Sequence, residues 1–138
     1  MGLFGKVPLD DDFDRALAGH PNNSVRKAIA RAQPFVRDIL LPGETLRTVF
    51  YEGFTGSHTL VVTDQRLLVF RNSFGGSRPK ELWVAARPEE IRSVRHGGDA
   101  TAYGIIIQVG STTVATRASD HLSGRTLAQS VMELCGMA

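Results

Sequence analysis

The chain has 138 residues, a length that suits one domain with its own core and is short for two. Its hydrophobic fraction of 42% and charged fraction of 22% are typical of globular proteins, which excludes a disordered or fibrous chain. The net charge of +2 is small and the arginines are spread along the sequence, so composition disfavours nucleic acid as a partner.

The single cysteine, Cys135, excludes an internal disulfide and a zinc site built from several cysteines. A reducing compartment is consistent with this count. No segment has the length and apolar character of a membrane span, and the N-terminus lacks the apolar core of a signal peptide. We therefore expect a cytoplasmic protein, with attachment to the inner face of the membrane as the alternative.

Residues 1–40 predict a helical extension ahead of the main domain. Acidic residues precede a short helix over residues 13–18, which Gly19-His20-Pro21 ends. A second helix over residues 24–40 carries an apolar stripe at helical spacing. Pro34 lies opposite that stripe and predicts a kink near Gln33 or a break into two helices. The stripe consists of Val25, Ala28, Ile29, Ala32, Val36, Ile39 and Leu40.

Residues 41–138 predict a mainly β domain. Short β-rich runs alternate with turn residues, which is typical of an antiparallel sandwich or barrel. Asp64-Gln65 and the glycine-first pair Gly110-Ser111 predict two tight hairpins. Ser119 or Asp120 begins a final amphipathic helix. The predicted strands are residues 45–51, 58–63, 66–71, 80–84, 91–95, 103–109 and 112–117.

Two segments carry a resemblance to a known family. Leu41-Pro42-Gly43-Glu44 followed by residues 60–70 resembles the "LPGE … VTDRRLL" run of bacterial pleckstrin-homology-like domains. Residues 81–84 and 90–94 match a second stretch of that family, and the resemblance covers residues 41–134. It implies a seven-stranded antiparallel bent barrel capped by a C-terminal helix, with the N-terminal helices as an extension outside the family pattern.

The same resemblance says little about the ligand. Eukaryotic pleckstrin homology domains that bind phosphoinositides use basic residues near the loop between their first two strands. Residues 52–57, which form that loop here, contain no Lys or Arg. The resemblance therefore implies the fold and not the lipid.

Enzymatic chemistry finds no support in the motifs. His20, His58, His96 and His121 are far apart and none has a second ligand at metal spacing. Asp120 beside His121 is explained by helix capping. The glycine-containing loops lack the Lys-Ser/Thr of a phosphate-binding loop. We expect no enzymatic activity, no cofactor and no metal.

The leading hypothesis is an interaction module that binds a protein partner or assembles with its own copies, through loops or an unpaired strand edge. The helix over residues 24–40 packs either on its own barrel, which we favour, or on another subunit. If the barrel has a ligand surface, the loop at residues 72–77 is the candidate, although a solvated hairpin end explains it as well. Its residues are Arg71, Phe74, Arg78 and Lys80.

The alternative hypothesis is peripheral binding to anionic membrane lipid through the basic face of the second helix. This requires that the apolar face of the helix be free to enter the membrane. A DNA-binding helix-turn-helix is disfavoured, because a third helix is missing and the first helix is acidic. The basic face consists of Arg26, Lys27, Arg31 and Arg37.

Overall fold

A computed structural model describes residues 13, 15, 23–52, 54–73 and 78–137 of the chain. The described residues form two long helices, seven strands and a short 3-10 helix at Pro88–Glu90. The elements in chain order are α1 (Asn23–Ile39), β1 (Leu46–Tyr51), β2 (His58–Thr63), β3 (Leu67–Asn72), β4 (Pro79–Ala86), β5 (Ile91–Gly98), β6 (Tyr103–Val109), β7 (Thr112–Ala118) and α2 (His121–Leu134).

The strands form two antiparallel sheets. The first sheet has the order β1-β2-β3-β4 and the second has the order β5-β6-β7. Helix α2 packs against strands of both sheets, β1 and β2 in the first and β5, β6 and β7 in the second. The seven-stranded antiparallel architecture with a C-terminal helix, predicted from the sequence, is confirmed.

The main core lies between the two sheets and α2. One residue in two along each strand faces this core, as the alternation of a β-strand requires. Apolar side chains from both sheets and from the helix are buried there in one cluster. It includes Phe50, Leu60, Val62, Leu67, Val69, Val84, Ile105, Ile107, Val114, Leu127 and Val131.

A second core lies on the outer face of the first sheet, where α1 covers it. The apolar stripe of α1 packs there against the residues of β1 to β3 that face away from the main core, so these strands are buried on both faces. This explains why residues 60–62 and 67–70 are uninterrupted apolar runs. The second core contains Phe13, Val25, Ile29, Ala32, Val36, Leu46, Val49, Val61, Leu68 and Phe70.

Helix α1 therefore packs on its own barrel. It runs without interruption through Pro34, and the predicted break into two helices is not found. Pro34 is exposed on the side opposite the second core, so water can satisfy the carbonyl that the proline leaves unpaired.

Of the predicted helix at 13–18, Phe13 and Arg15 are helical and the remaining residues lie outside the described part. None of the described helices meets the length and hydropathy of a membrane span.

The family-like residues around Glu44 form one buried network. The Glu44 carboxylate accepts hydrogen bonds from Arg66 Nε at 2.8 Å, Arg66 Nη2 at 3.0 Å, Thr63 Oγ1 at 2.6 Å and Leu41 N at 2.9 Å. Burial alone would raise the pKa of Glu44, but these hydrogen bonds and the Arg66 charge outweigh it and hold the pKa below its usual value. Arg66 Nη2 also donates to Ile39 O at 2.7 Å, which ties the end of α1 to the barrel.

The neighbouring turn residues complete this junction. Asp64 Oδ1 accepts from Thr45 N at 2.8 Å, and Asp64 N donates to Thr45 O at 2.9 Å. Gly43 has φ +78°, a left-handed conformation that favours glycine. The resemblance thus rests on residues that join α1, β1 and the β2–β3 hairpin, which is a structural role.

Candidate functional site

A cavity of about 650 Å³ lies between the β1–β2 loop, residues 52–57, and the three strands of the second sheet. Its size is within the range of small-ligand sites. Both charged and apolar groups line it. From the loop come Glu52, Thr55 and Ser57, and from the sheet come Arg95, His96, Gly97, Gly104, Ile105, Ile106, Ala115, Thr116 and Arg117.

Glu52 fixes the shape of the loop. Its Oε1 accepts from Phe54 N at 3.3 Å, Thr55 N at 2.7 Å, Thr55 Oγ1 at 2.8 Å and Gly56 N at 3.0 Å. The residue is buried, with 5% of its surface exposed. Because four donors of its own loop converge on one oxygen, Glu52 acts first as the organiser of that loop.

Two arginines bring positive charge to the cavity. The register pairs Arg95 with Ile106 and Ile106 with Ala115, and it pairs Gly104 with Arg117. Strand alternation therefore places both arginine side chains on the same face of the sheet. The Arg117 guanidinium lies over the Phe54 ring, 4.5 Å from its centroid, which fixes its position beside the loop. Among the described residues neither arginine has an ion-pair partner.

Thr116 borders the cavity through its strand, but its side chain lies on the core face of β7, opposite to that of Arg117, because it is paired with the buried Ile105. The residue is 4% exposed, and its Oγ1 makes no hydrogen bond to the described part of the chain. A buried polar atom without a partner costs free energy, and such atoms are rare in folded proteins. Because this hydroxyl faces the core, it is not part of the surface that carries Arg95 and Arg117.

The described histidines have local structural partners, and His20 lies outside the described residues. His96 Nδ1 and Tyr103 Oη are hydrogen-bonded at 2.5 Å, and His121 Nε2 lies 2.9 Å from Asp99 O. Asp120 caps α2, since its Oδ1 accepts from Ser123 N at 2.7 Å. The capping explanation for Asp120 is confirmed.

His58 belongs to an aromatic cluster at the other side of the β1–β2 loop. Its ring stacks on Trp83 with centroids 5.3 Å apart, and the Arg71 guanidinium lies 4.6 Å from the Trp83 centroid. Burial lowers the pKa of His58, Glu52 opposes that shift, and Arg71 adds to it. His58 Nδ1 also lies 3.1 Å from Ser57 Oγ.

The residues predicted for a ligand surface on the barrel are not brought to the cavity. Arg71 bonds Glu81 at 3.5 Å and stacks on Trp83, so its guanidinium is already engaged. Arg78 and Lys80 are exposed at the start of β4, where Lys80 borders a separate groove against α1. Phe74 lies outside the described residues. Their role as a partner surface stays a prediction.

The predicted basic face of α1 is exposed, as its position off the apolar stripe requires. Arg26, Lys27, Arg31 and Arg37 all face away from the second core. The apolar stripe between them is buried on the barrel, with Ile29, Ala32 and Val36 fully inaccessible. The membrane hypothesis required a free apolar face, and this condition is not met.

The fold matches a solved structure. A crystal structure described as a pleckstrin homology domain from Shewanella amazonensis SB2B superimposes with a TM-score of 0.53 and 12% sequence identity, covering 74% of this chain and 93% of that chain. No protein-family model matches the sequence, and no curated protein is significantly similar to it. The fold is therefore that of a pleckstrin-homology-like domain.

Arg95 and Arg117 were not singled out by the sequence. The Gly110-Ser111 hairpin fixes the register of β6 and β7, so it could have placed Arg117 opposite Gly104. The partners of β5 could not be found in the same way, because the connection after Gly98 is longer. The β1–β2 loop itself lacks Lys and Arg, as noted, yet the second sheet supplies both arginines beside it.

Proposed function

We propose that the chain is a non-enzymatic binding module whose protein partner presents an anionic group in the cavity beside the β1–β2 loop. The observation that carries this proposal is the pair Arg95 and Arg117, which line one cavity and have no ion-pair partner among the described residues. Guanidinium groups bind carboxylate and phosphate oxygens with two parallel hydrogen bonds. A second copy of the chain falls within this class of partner.

The groups in the cavity favour binding over catalysis. Ser57 lines the cavity, and its Oγ lies 3.1 Å from Nδ1 of the neighbouring His58, a spacing that would suit a nucleophile and its base. Ser57 Oγ already accepts a hydrogen bond from Thr55 Oγ1 at 2.9 Å. Nothing in the described part of the chain bonds His58 Nε2, so the third group that orients a catalytic base is missing.

A small anion tests the proposal directly. Inorganic pyrophosphate, titrated into the full chain, should shift the backbone amide NMR signals of Arg95, Gly104 and Arg117, with a dissociation constant of about 1 mM. Arg95→Gln and Arg117→Gln should each weaken that binding by about tenfold, since each removes a charge-assisted pair. Arg92→Gln is the matched control, because Arg92 is an exposed residue of β5 that does not line the cavity.

Two results would contradict the proposal. One is the absence of any shift at cavity amides when pyrophosphate is in large excess. The other is a double variant, Arg95→Gln with Arg117→Gln, that binds pyrophosphate as tightly as the parent chain. Either result would leave the cavity without the anion preference on which the proposal rests.

A further inference from the structure

We infer that the partner presents an extended acidic segment, whose backbone lies against Gly97 and Gly104 and whose carboxylate lies between Arg95 and Arg117. This inference rests on the proposed function and adds the form of the ligand. Its starting point is a pair of glycines that the fold itself does not require.

Gly97 and Gly104 lie opposite each other on β5 and β6. Neither has positive φ, so backbone conformation does not require glycine at these positions. Packing does not require it either: an added Cβ at Gly97 would meet nothing within 4 Å, and at Gly104 the nearest atom would be Gly97 O at 3.9 Å. Glycine weakens a strand interior, and it often marks a place where another backbone or a ligand approaches closely.

The surface formed by Gly97 and Gly104 lies between the two arginines. Arg95 precedes Gly97 by two residues on β5, and Arg117 is paired directly with Gly104 across β6 and β7. Since neighbouring strands are about 4.8 Å apart, β5 and β7 are separated by about 10 Å, which leaves room for one extended chain between the arginine side chains. Side chains of such a segment alternate in direction, so one carboxylate points to the sheet while its neighbours point away.

The charged groups of the cavity suit an acidic side chain carried by an extended segment. Arg117 is held in place by Phe54, and Arg95 lies on the same face, so both can donate to one carboxylate. Among the described residues that line the cavity, Glu52 alone has a carboxylate. Its Oε1 is already bonded by its own loop, which leaves the arginines available.

The test uses the full chain and a short peptide that alternates Glu and Thr and is blocked at both ends. Its counterpart with Gln in place of Glu has the same backbone without the charge. The Glu peptide should bind at least about tenfold more tightly than the Gln peptide, as expected for charge-assisted pairs. Gly104→Val should weaken Glu-peptide binding by about tenfold or more, because the valine side chain occupies the space of the approaching backbone. Arg92→Gln should bind the Glu peptide as the parent chain does.

Gly104→Val is expected to fold, since its Cβ meets no close neighbour and valine favours strands, and a thermal unfolding curve checks this. A folded Gly104→Val chain that binds the Glu peptide as tightly as the parent overturns the inference. Binding of pyrophosphate without binding of the Glu peptide overturns it while leaving the proposed function intact. The chain could instead float with phosphatidylglycerol vesicles in a way that depends on the two arginines, and again bind no peptide. That result would overturn the inference and identify a membrane surface as the ligand. Failure of both pyrophosphate and peptide removes the inference and the proposed function together.

Discussion

Glu44 shows what one buried carboxylate contributes to this fold. Its pKa is lower in the folded chain than the usual 4.5, so the stability it contributes is present above about pH 4.5 and is lost as pH falls through the native pKa. Glu44→Gln removes the charge and should lower the free energy of unfolding at pH 7 by about 2 kcal/mol. It should also flatten the fall in stability below about pH 4.5. Urea unfolding at several pH values measures both effects.

The matched control is Glu89→Gln. Glu89 pairs with Arg87 at 3.5 Å, but both side chains are largely exposed, so the change should stay within about 0.5 kcal/mol at pH 7. If Glu44→Gln and Glu89→Gln had the same effect, the buried network around Arg66 would not stabilise the fold as described.

Replacing Gly124 in α2 should lower stability, although replacing a glycine within a helix usually raises it. An exposed Gly→Ala change in a helix stabilises by about 1 kcal/mol. Here the new Cβ would lie 2.5 Å from Tyr103 Cδ1, and Tyr103 is buried and bonded to His96, so the ring cannot easily move. Gly124→Ala should therefore destabilise the chain by about 1–3 kcal/mol, measured by urea unfolding. Gly97→Ala, which meets no neighbour within 4 Å, should be tolerated.

At this scale the sequence predicts contacts that are local. The cap from Asp120 to Ser123 spans three residues, and the turn bonds of Thr63 span two and three, so their types and spacing were sufficient. The pair Glu44 and Arg66 is separated by 22 residues, and the pair Phe54 and Arg117 by far more. Such contacts depend on how the strands are arranged, which residue types alone do not determine.

At the scale of elements, the packing of α1 on the barrel follows from its apolar stripe. The spacing predicted which residues are buried, and the uninterrupted apolar runs of β2 and β3 explain what they pack against.

Ile29 is fully buried in the second core, so Ile29→Ala should cost about 3 kcal/mol of stability. Lys27→Ala, on the exposed face of the same helix, should change it by less than about 0.5 kcal/mol. Equal effects would contradict the packing of α1 on the barrel.

Strand positions were predictable for a related reason. The tight turns predicted the bounds of β2, β6 and β7 closely, and the remaining strands differ from their predicted bounds mainly at the ends, as with β4 and β5. In the first sheet, apolar and polar residues fail to alternate only in the strand segments that α1 covers, because both faces are apolar there. The cavity required the register of β5 against β6 and the position of the β1–β2 loop, and neither is encoded in a local pattern.

For the whole molecule, the second core joins α1 to the barrel. A chain shortened to residues 41–138 would lose α1 and expose Val49, Val61, Leu68 and Phe70 as one apolar surface. Arg66 would also lose its hydrogen bond to Ile39 O. A contiguous apolar surface of this kind drives association. We expect the shortened chain to aggregate, as measured by light scattering and size-exclusion chromatography.

The double change Val61→Thr with Leu68→Thr separates exposure of this surface from failure of the barrel to fold. Both residues are fully buried beneath α1 and face away from the main core, and threonine keeps strand preference while adding a hydroxyl. In the shortened chain the double change should restore solubility and a cooperative thermal transition. In the full chain the same change should destabilise, because the two hydroxyls would then be buried against α1. A shortened chain that is soluble and monomeric without the double change would show that the barrel does not need α1, and the extension would then be a separate unit.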